Sequence, residues 1–348
     1  MEKEERKRES TSSQISLNDI KLRVREINDN QQMEVLGGNT TFIGFKNPST
    51  YLILTFAKGM KVIKDNKQVF SAKCSARKLF NHEIIYVDFL DCFLLLANND
   101  LYRKDIDGEV PYFFMSLSSQ ACLLRYSKHN NPLILVQGKW GDLAVYDLKQ
   151  KKKVLHLKNP AKEMIKDVKL FGEKEEKFIS VARSGSVWMR IFNFSMKKLI
   201  SSFHLKIDPL EGREEEGNSI AICDKNQHVL VEMSEQAGFC SRMLVFQIKG
   251  NLLVLKANVD LIMSLRGYKS ALACAGYFDK YILWVGLTSY KSNIAQLYCY
   301  ELESNELKEL EKKRVYHLEN WPYRLEKLGG DFYYCGGNGK VLQLSLNF

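Results

Sequence analysis

Lys340-Val-Leu-Gln-Leu-Ser-Leu-Asn-Phe348 alternates apolar and polar residues as a β-strand does, and no further segment follows to pair with it. Near the other end, Met33-Glu-Val-Leu36 is an apolar stretch standing alone before the first full set of strand-like segments. In a ring of small sheets these two segments can complete one sheet together and close the circle. Closure removes the exposed strand edges through which open sheets aggregate.

From residue 40 onward one unit returns: apolar or alternating runs of about six residues, divided by Gly, Asn, Asp or Lys turns. The first unit reads Thr41-Phe-Ile-Gly-Phe45, Tyr51-Leu-Ile-Leu-Thr-Phe56, Met60-Lys-Val-Ile63 and Gln68-Val-Phe-Ser71. Corresponding sets begin near Ile84, Cys122, Asp167, Ser219 and Leu272. A final set around Tyr323-Arg-Leu325, Phe332-Tyr-Tyr334 and Val341-Leu-Gln-Leu344 has three strands, and Met33 to Leu36 supplies the fourth. Divided among seven units, the residues from 32 onward come to about 45 each, the length of a four-stranded propeller blade. In each unit the second segment is the most continuously apolar, as a strand covered on both faces must be. The expectation is an all-β chain: a charged, disordered leader over 1–31, then a seven-bladed β-propeller over 32–348. A two-sheet sandwich explains the seven similar units less economically.

At Gly141-Asp-Leu-Ala-Val-Tyr-Asp-Leu-Lys-Gln-Lys-Lys-Lys-Val-Leu-His-Leu157 the chain resembles the WD-repeat family, in which a strand ends in Trp-Asp or a variant before a polar turn. Tyr146-Asp147 stands in the place of that dipeptide. Ser186-Val-Trp-Met-Arg-Ile-Phe-Asn193 and Gln296-Leu-Tyr-Cys-Tyr-Glu301 are weaker echoes. The chain has no Gly-His and no Trp-Asp dipeptide, so the family's His, Asp, Ser and Trp hydrogen-bond network is not assigned to residues. The resemblance implies a divergent propeller of a family made mostly of scaffolds, with no catalytic residue.

Composition narrows the function. The chain has 45% hydrophobic and 11% aromatic residues, enough for a large core. Its opening residues carry no apolar signal region, and its most apolar windows are too short to span a bilayer as a helix, so no membrane insertion is expected. An intracellular protein, cytoplasmic or nuclear, is the reading. The 8 Cys are dispersed without a Cys-x-x-Cys pair, which suits reduced core thiols rather than disulfides or zinc. The 6 His never approach one another in metal-ligand spacing. Gly336-Gly-Asn-Gly-Lys340 lacks the first Gly and the Ser or Thr of a phosphate loop, and reads as a hairpin turn. No cofactor and no enzymatic activity are expected.

The net charge of +10 falls wholly beyond residue 31, because residues 1–31 hold seven bases and seven acids. Part of it gathers at turns between third and fourth strands: Lys64 and Lys67; Lys149, Lys151, Lys152 and Lys153; Lys197 and Lys198; and Lys249. In a propeller those turns emerge on one face, so these lysines are the candidate partner-binding residues. The second and sixth units break the pattern with Asp105, Asp107 and Glu109, and with Glu301, Glu303 and Glu306. Solvated turns alone also favour lysine. The partners expected are other proteins, acidic segments among them, with nucleic acid as the second class. The function expected is a non-enzymatic scaffold subunit; the alternatives are a nucleic-acid-binding propeller and a hydrolase at the central channel. Leu210-Glu-Gly-Arg-Glu-Glu-Glu216 reads as a mobile acidic loop. Within Ile15 to Arg25, positions 20, 22 and 24 alternate like a strand.

Overall fold

The computed structural model describes the backbone of residues 21–26, 41–55, 59–72, 83–117, 121–130, 132–138, 140–159, 162–209, 214–223, 228–235, 240–260, 269–278, 281–290, 292–301, 306–308, 316–318, 322–328, 330–336 and 341–347. Among them all regular structure is β, apart from two short 3₁₀ turns at Asp88–Leu90 and Lys128–Asn130.

The strands group in chain order into antiparallel sheets. The first holds β2 (Thr41–Asn47), β3 (Thr50–Thr55), β4 (Gly59–Lys64) and β5 (Lys67–Ala72). The second holds β6 (Ile84–Val87), β7 (Cys92–Ala97), β8 (Asp100–Asp105) and β9 (Tyr112–Ser116). β10 (Ala121–Tyr126), β11 (Leu133–Gly138), β12 (Leu143–Asp147) and β13 (Lys152–Leu157) make the third. β14 (Ile165–Phe171), β15 (Lys177–Ala182), β16 (Ser186–Asn193) and β17 (Lys198–Lys206) make the fourth. The fifth has β18 (Glu215–Cys223), β19 (His228–Glu235), β20 (Cys240–Lys249) and β21 (Leu252–Asp260). The sixth has β22 (Lys269–Phe278), β23 (Tyr281–Tyr290), β24 (Ser292–Glu301) and β25 (Glu306–Lys308), with β26 (Tyr316–Leu318) also on β24. The last has β27 (Pro322–Leu328), β28 (Asp331–Gly336) and β29 (Val341–Asn347).

β29 pairs on its outer side with β1 (Lys21–Glu26), in register from Lys21 opposite Asn347 to Glu26 opposite Leu342. This corrects the sequence reading in two ways. The strand that completes the last sheet lies at Lys21–Glu26, inside the stretch taken as leader. Met33 to Leu36, the expected partner, lies outside the described residues. Alternation at Leu22 and Val24 was the available signal.

The first strands of successive sheets lie side by side: β2 on β6, β6 on β10, β10 on β14, β14 on β18, β18 on β22, β22 on β27 and β27 on β2. Every residue of the second strands β7 and β11 is buried, as their composition demands, and so is every residue of the third strand β12. Apolar clusters fill the spaces between neighbouring sheets. One joins the second and third sheets through Leu94, Leu96, Leu124, Val136 and Tyr146, and another joins the fourth and fifth through Val181, Met189, Ile220, Val231 and Leu244. Each such side chain contributes about 1.5–3 kcal/mol by leaving water. Fourth strands are the most exposed of the first four sheets, and β17 reads exposed and half-buried in strict succession.

Sheet contacts are close where the sequence supplies glycine. A Cβ on Gly217 would lie 2.4 Å from the Ala182 carbonyl oxygen of the fourth sheet, a distance no side chain tolerates. Two residues of the expected acidic loop before it are strand instead. Glu215 and Glu216 belong to β18: Glu215 pairs with Arg242 at 2.8 Å, and Glu216 pairs with Arg183 and with Lys166. Leu210 to Arg213 lie outside the described residues.

Candidate functional site: the basic turns and the rim between the third and fourth sheets

The candidate lysines all sit where third strands turn into fourth strands. Lys64 ends β4 and Lys67 begins β5, joined through Asp65 and Asn66, both at positive φ (51° and 61°) as a two-residue hairpin requires. Lys149 and Lys151 form the turn after β12, with Lys152 and Lys153 opening β13. Asp147 ends β12 and accepts hydrogen bonds from the Lys149 and Gln150 amides, both at 3.0 Å, which sets that turn. Lys197 and Lys198 stand between β16 and β17, and Lys249 closes β20. Apart from half-buried Lys64, all are exposed.

These lysines are not equivalent. Lys64 donates to Asp107 of the second sheet at 2.7 Å, and that bond holds its pKa above the usual lysine range. One of the acids that broke the sequence pattern, Asp107, therefore neutralises Lys64 of the first sheet's turn. Lys46 is likewise engaged, by Asp91 at 2.6 Å and by Tyr86. Between the third and fourth sheets the balance is different. Lys197 Nζ lies 3.9 Å from Asp147 Oδ2, so the two lysine turns are neighbours. On the same side of these sheets, Asn130 donates to the Lys174 carbonyl at 2.6 Å, joining the turns between first and second strands. Lys149 Nζ lies over the Phe89 ring and Lys151 Nζ over the Phe114 ring, at 5.3 and 4.6 Å, so both ammonium groups rest against aromatic faces of the second sheet. The structure thus brings Lys149, Lys151, Lys152, Lys153, Lys197 and Lys198 onto two adjoining turns; no described contact joins Lys67 or Lys249 to them.

Above these turns, β16 carries Trp188 and Arg190. The Trp188 ring stacks on His204 of β17 at 4.0 Å and 19°, and the Arg190 guanidinium lies 4.8 Å from the Trp188 ring. Trp188 Nε1 donates to Glu163 Oε2 at 3.4 Å, and the Ser184 and Ser186 hydroxyls donate to Glu163 Oε1 at 2.7 and 2.6 Å. Burial alone would push the Glu163 carboxyl up; the bonds from Ser186, Ser184 and Trp188, with Lys206 nearby, hold it below the usual glutamate range. Glu163, on an irregular connection, thus gathers three side-chain donors, a cluster that motif reading misses.

The inner strands carry a second group that the sequence reading missed. Arg125 on β10 donates to Glu83 Oε1 at 3.0 Å, to Asp167 Oδ1 on β14 at 3.1 Å and to the Val168 carbonyl at 2.6 Å. Asp167 Oδ2 in turn accepts from the Ile220 amide of β18 at 3.0 Å. These carboxylates are engaged by an arginine and by backbone. Among the described residues no group of three or more His, Cys, Asp or Glu is placed to hold a metal ion.

The arrangement of four-stranded sheets superposes on one class of solved structures. A chain of an S. cerevisiae assembly of Dbp5, Nup159, Gle1, IP6 and ADP superposes with a TM-score of 0.62 at 10% identity, covering 95% of this chain and 96% of that one. The WD40 β-propeller domain of Doa1 gives 0.56 at 12% identity, over 89% and 96% of the two chains. The fold is a WD-repeat-like β-propeller. BBS1N, solved in complex with ARL6, gives 0.59 at 10% identity over 89% and 92%. No family model and no curated protein matches the sequence. For a propeller of such divergence, likeness lies in the blades and not in a shared binding motif.

Proposed function

We propose that this protein is a non-enzymatic interaction scaffold, a subunit of a multi-protein assembly that holds an acidic partner against the lysine turns of its third and fourth blades. The observation that carries the reading is the contact between the Lys197 turn and the Asp147 turn, which concentrates Lys149, Lys151, Lys152, Lys153, Lys197 and Lys198 on one stretch of one face. Such a concentration raises the local potential and draws acidic segments to it. The platform in this proposal is a closed seven-bladed ring beginning at β1. The β1 to β29 pairing and the return of β27 to β2 support closure. A leader shorter than residues 1–31 precedes it.

Propeller neighbours also favour binding over chemistry: BBS1N was solved with a protein partner, ARL6. The hydrolase alternative has less support, because Glu83 and Asp167 on the inner strands are held by Arg125 rather than presented to a substrate. Among the described residues no helix is long and apolar enough to cross a membrane. The site of action proposed is the cytoplasm or nucleus.

The test is affinity purification of the tagged chain from its own cells, with and without nuclease, beside a variant carrying Lys151→Gln, Lys152→Gln and Lys153→Gln. The scaffold reading expects a set of protein partners that survives nuclease and is depleted in the variant. Partners lost on nuclease treatment transfer the face to nucleic acid. Partners unchanged in the variant overturn the basic-face reading.

A further inference from the structure

Arg190 does not fit its surroundings. It stands mid-strand in β16 opposite Phe178 of β15, and Phe178 packs with Leu135, Leu143, Val145 and Phe192 between the third and fourth blades. The side chain therefore points toward the third blade, into an apolar layer. Only 6% of the residue is exposed, and among the described residues its guanidinium meets the Trp188 ring but no carboxylate. A buried charge without a counter-charge is costly by several kcal/mol, so its retention asks for a partner that supplies one.

The way in is from the rim. Across β17 the residues on the same side, Ser202 opposite Arg190 and His204 opposite Trp188, are exposed. On the facing side, Leu155 and Leu157 of β13 are half-buried against the same apolar layer. Both outer strands, β13 and β17, start at the lysine turns: Lys152 and Lys153 open one, Lys198 the other. The seam between these two strands thus runs along the rim from the lysine cluster toward Arg190, with the Trp188 and His204 rings beyond.

We propose that this seam binds an acidic, extended segment of a partner protein, one carboxylate of which pairs with Arg190 while its other acidic side chains lie among the lysine turns. The lysine part rests on the scaffold reading above; the Arg190 part stands on its own burial and lack of a counter-ion. A planar guanidinium takes a carboxylate through two parallel hydrogen bonds. Nucleic acid would instead need exposed aromatic platforms, whereas Trp188 is half-buried and stacked on His204.

The probe is a fluorescein-labelled decaglutamate peptide, titrated into the full chain and read by anisotropy and by tryptophan emission. Wild-type protein is expected to bind it with a change in emission from Trp188, a change absent in Trp188→Phe. Arg190→Leu is expected to weaken binding about ten-fold or more and to lose the emission change. It should fold at least as stably as wild type, because a buried lone charge is replaced by an apolar side chain. Should Arg190→Leu not fold, Arg190→Lys, which keeps the charge but not the planar fork, is expected to weaken binding several-fold. The Lys151, Lys152 and Lys153 triple glutamine variant should bind more weakly with less salt dependence, yet keep the emission change at saturation. Loss in the lysine variant with none in Arg190→Leu leaves the basic face standing and overturns the seam; the opposite pattern removes the lysine face and keeps the seam. Absence of binding by wild type, or tighter binding of an oligothymidylate of equal charge, also overturns the proposal.

Discussion

Arg125 and Asp167, on the first strands of neighbouring blades, are joined by a 3.1 Å ion pair whose arginine also reaches Glu83 one blade back. Asp167 passes the connection forward to the Ile220 amide, so one buried polar chain ties four successive blades at their inner strands. All three side chains are mostly buried, at 15%, 13% and 7% exposure. Removing the arginine takes its charge from both carboxylates, although Lys169 Nζ stays 3.5 Å from Asp167 Oδ2. Arg125→Ala is expected to destabilise the protein by about 3–5 kcal/mol in urea denaturation. Lys128→Ala breaks only an exposed pair with Asp88 and should change stability by less than about 0.5 kcal/mol. Equal effects of the two would show that the inner chain does not hold the blades together.

Glu163 gives a pH dependence of definite sign. Its carboxyl is held below its unfolded value of 4.5, so its contribution to stability is complete above that pH and disappears as pH falls through the lower folded value. Glu163→Gln should therefore be less stable than wild type at neutral pH. The gap between the two urea midpoints should narrow only below about pH 4.5. A gap that is constant down to acid pH would detach the carboxylate's charge from the network.

Gly217 tests how tightly the fourth and fifth blades meet. The neighbour in the way of a Cβ is backbone, the Ala182 carbonyl, together with Val181 Cγ2, both at 2.4 Å. Gly217→Ala should cost about 1–3 kcal/mol through the shift it forces. Gly330, with nothing within 4 Å, should accept Ala without penalty in the same assay.

Cys92 is fully buried in β7, and burial pushes its thiol up to about 12, with Arg103 opposing only weakly. At pH 8 about one molecule in ten thousand carries the thiolate there. Mass-spectrometric footprinting with iodoacetamide should find Cys92 unlabelled in native protein and labelled in denaturant. Half-buried Cys122, whose Sγ donates to the Gln137 carbonyl, should label first of the two.

The blades were legible in the sequence because their signal is local. Val62, Leu94 and Val136 alternate or run together within six residues, and hydrophobic period alone places them in strands. The closing strand was misplaced because Lys21-Leu-Arg-Val-Arg-Glu26 carries charge at every second position and resembles a polar leader until its partner, β29, is beside it. The lysine turns were legible as turns, but their standing was not. Which lysine is neutralised depends on Asp107 of another blade, 43 positions away from Lys64. Arg125 and Glu163 were invisible for the same reason: one acts across blades and the other from an irregular connection, and no spacing within one segment reports either.

The most direct test of the account is the urea denaturation midpoint of the chain lacking residues 1–26, compared with the chain lacking residues 1–20. Closure through β1 predicts that the shorter deletion leaves the midpoint in place. The longer one strips the outer edge of β29, lowers the midpoint and promotes self-association through the exposed strand. Equal midpoints for the two would contradict a ring closed by β1, and with it the rigid platform on which the scaffold reading stands.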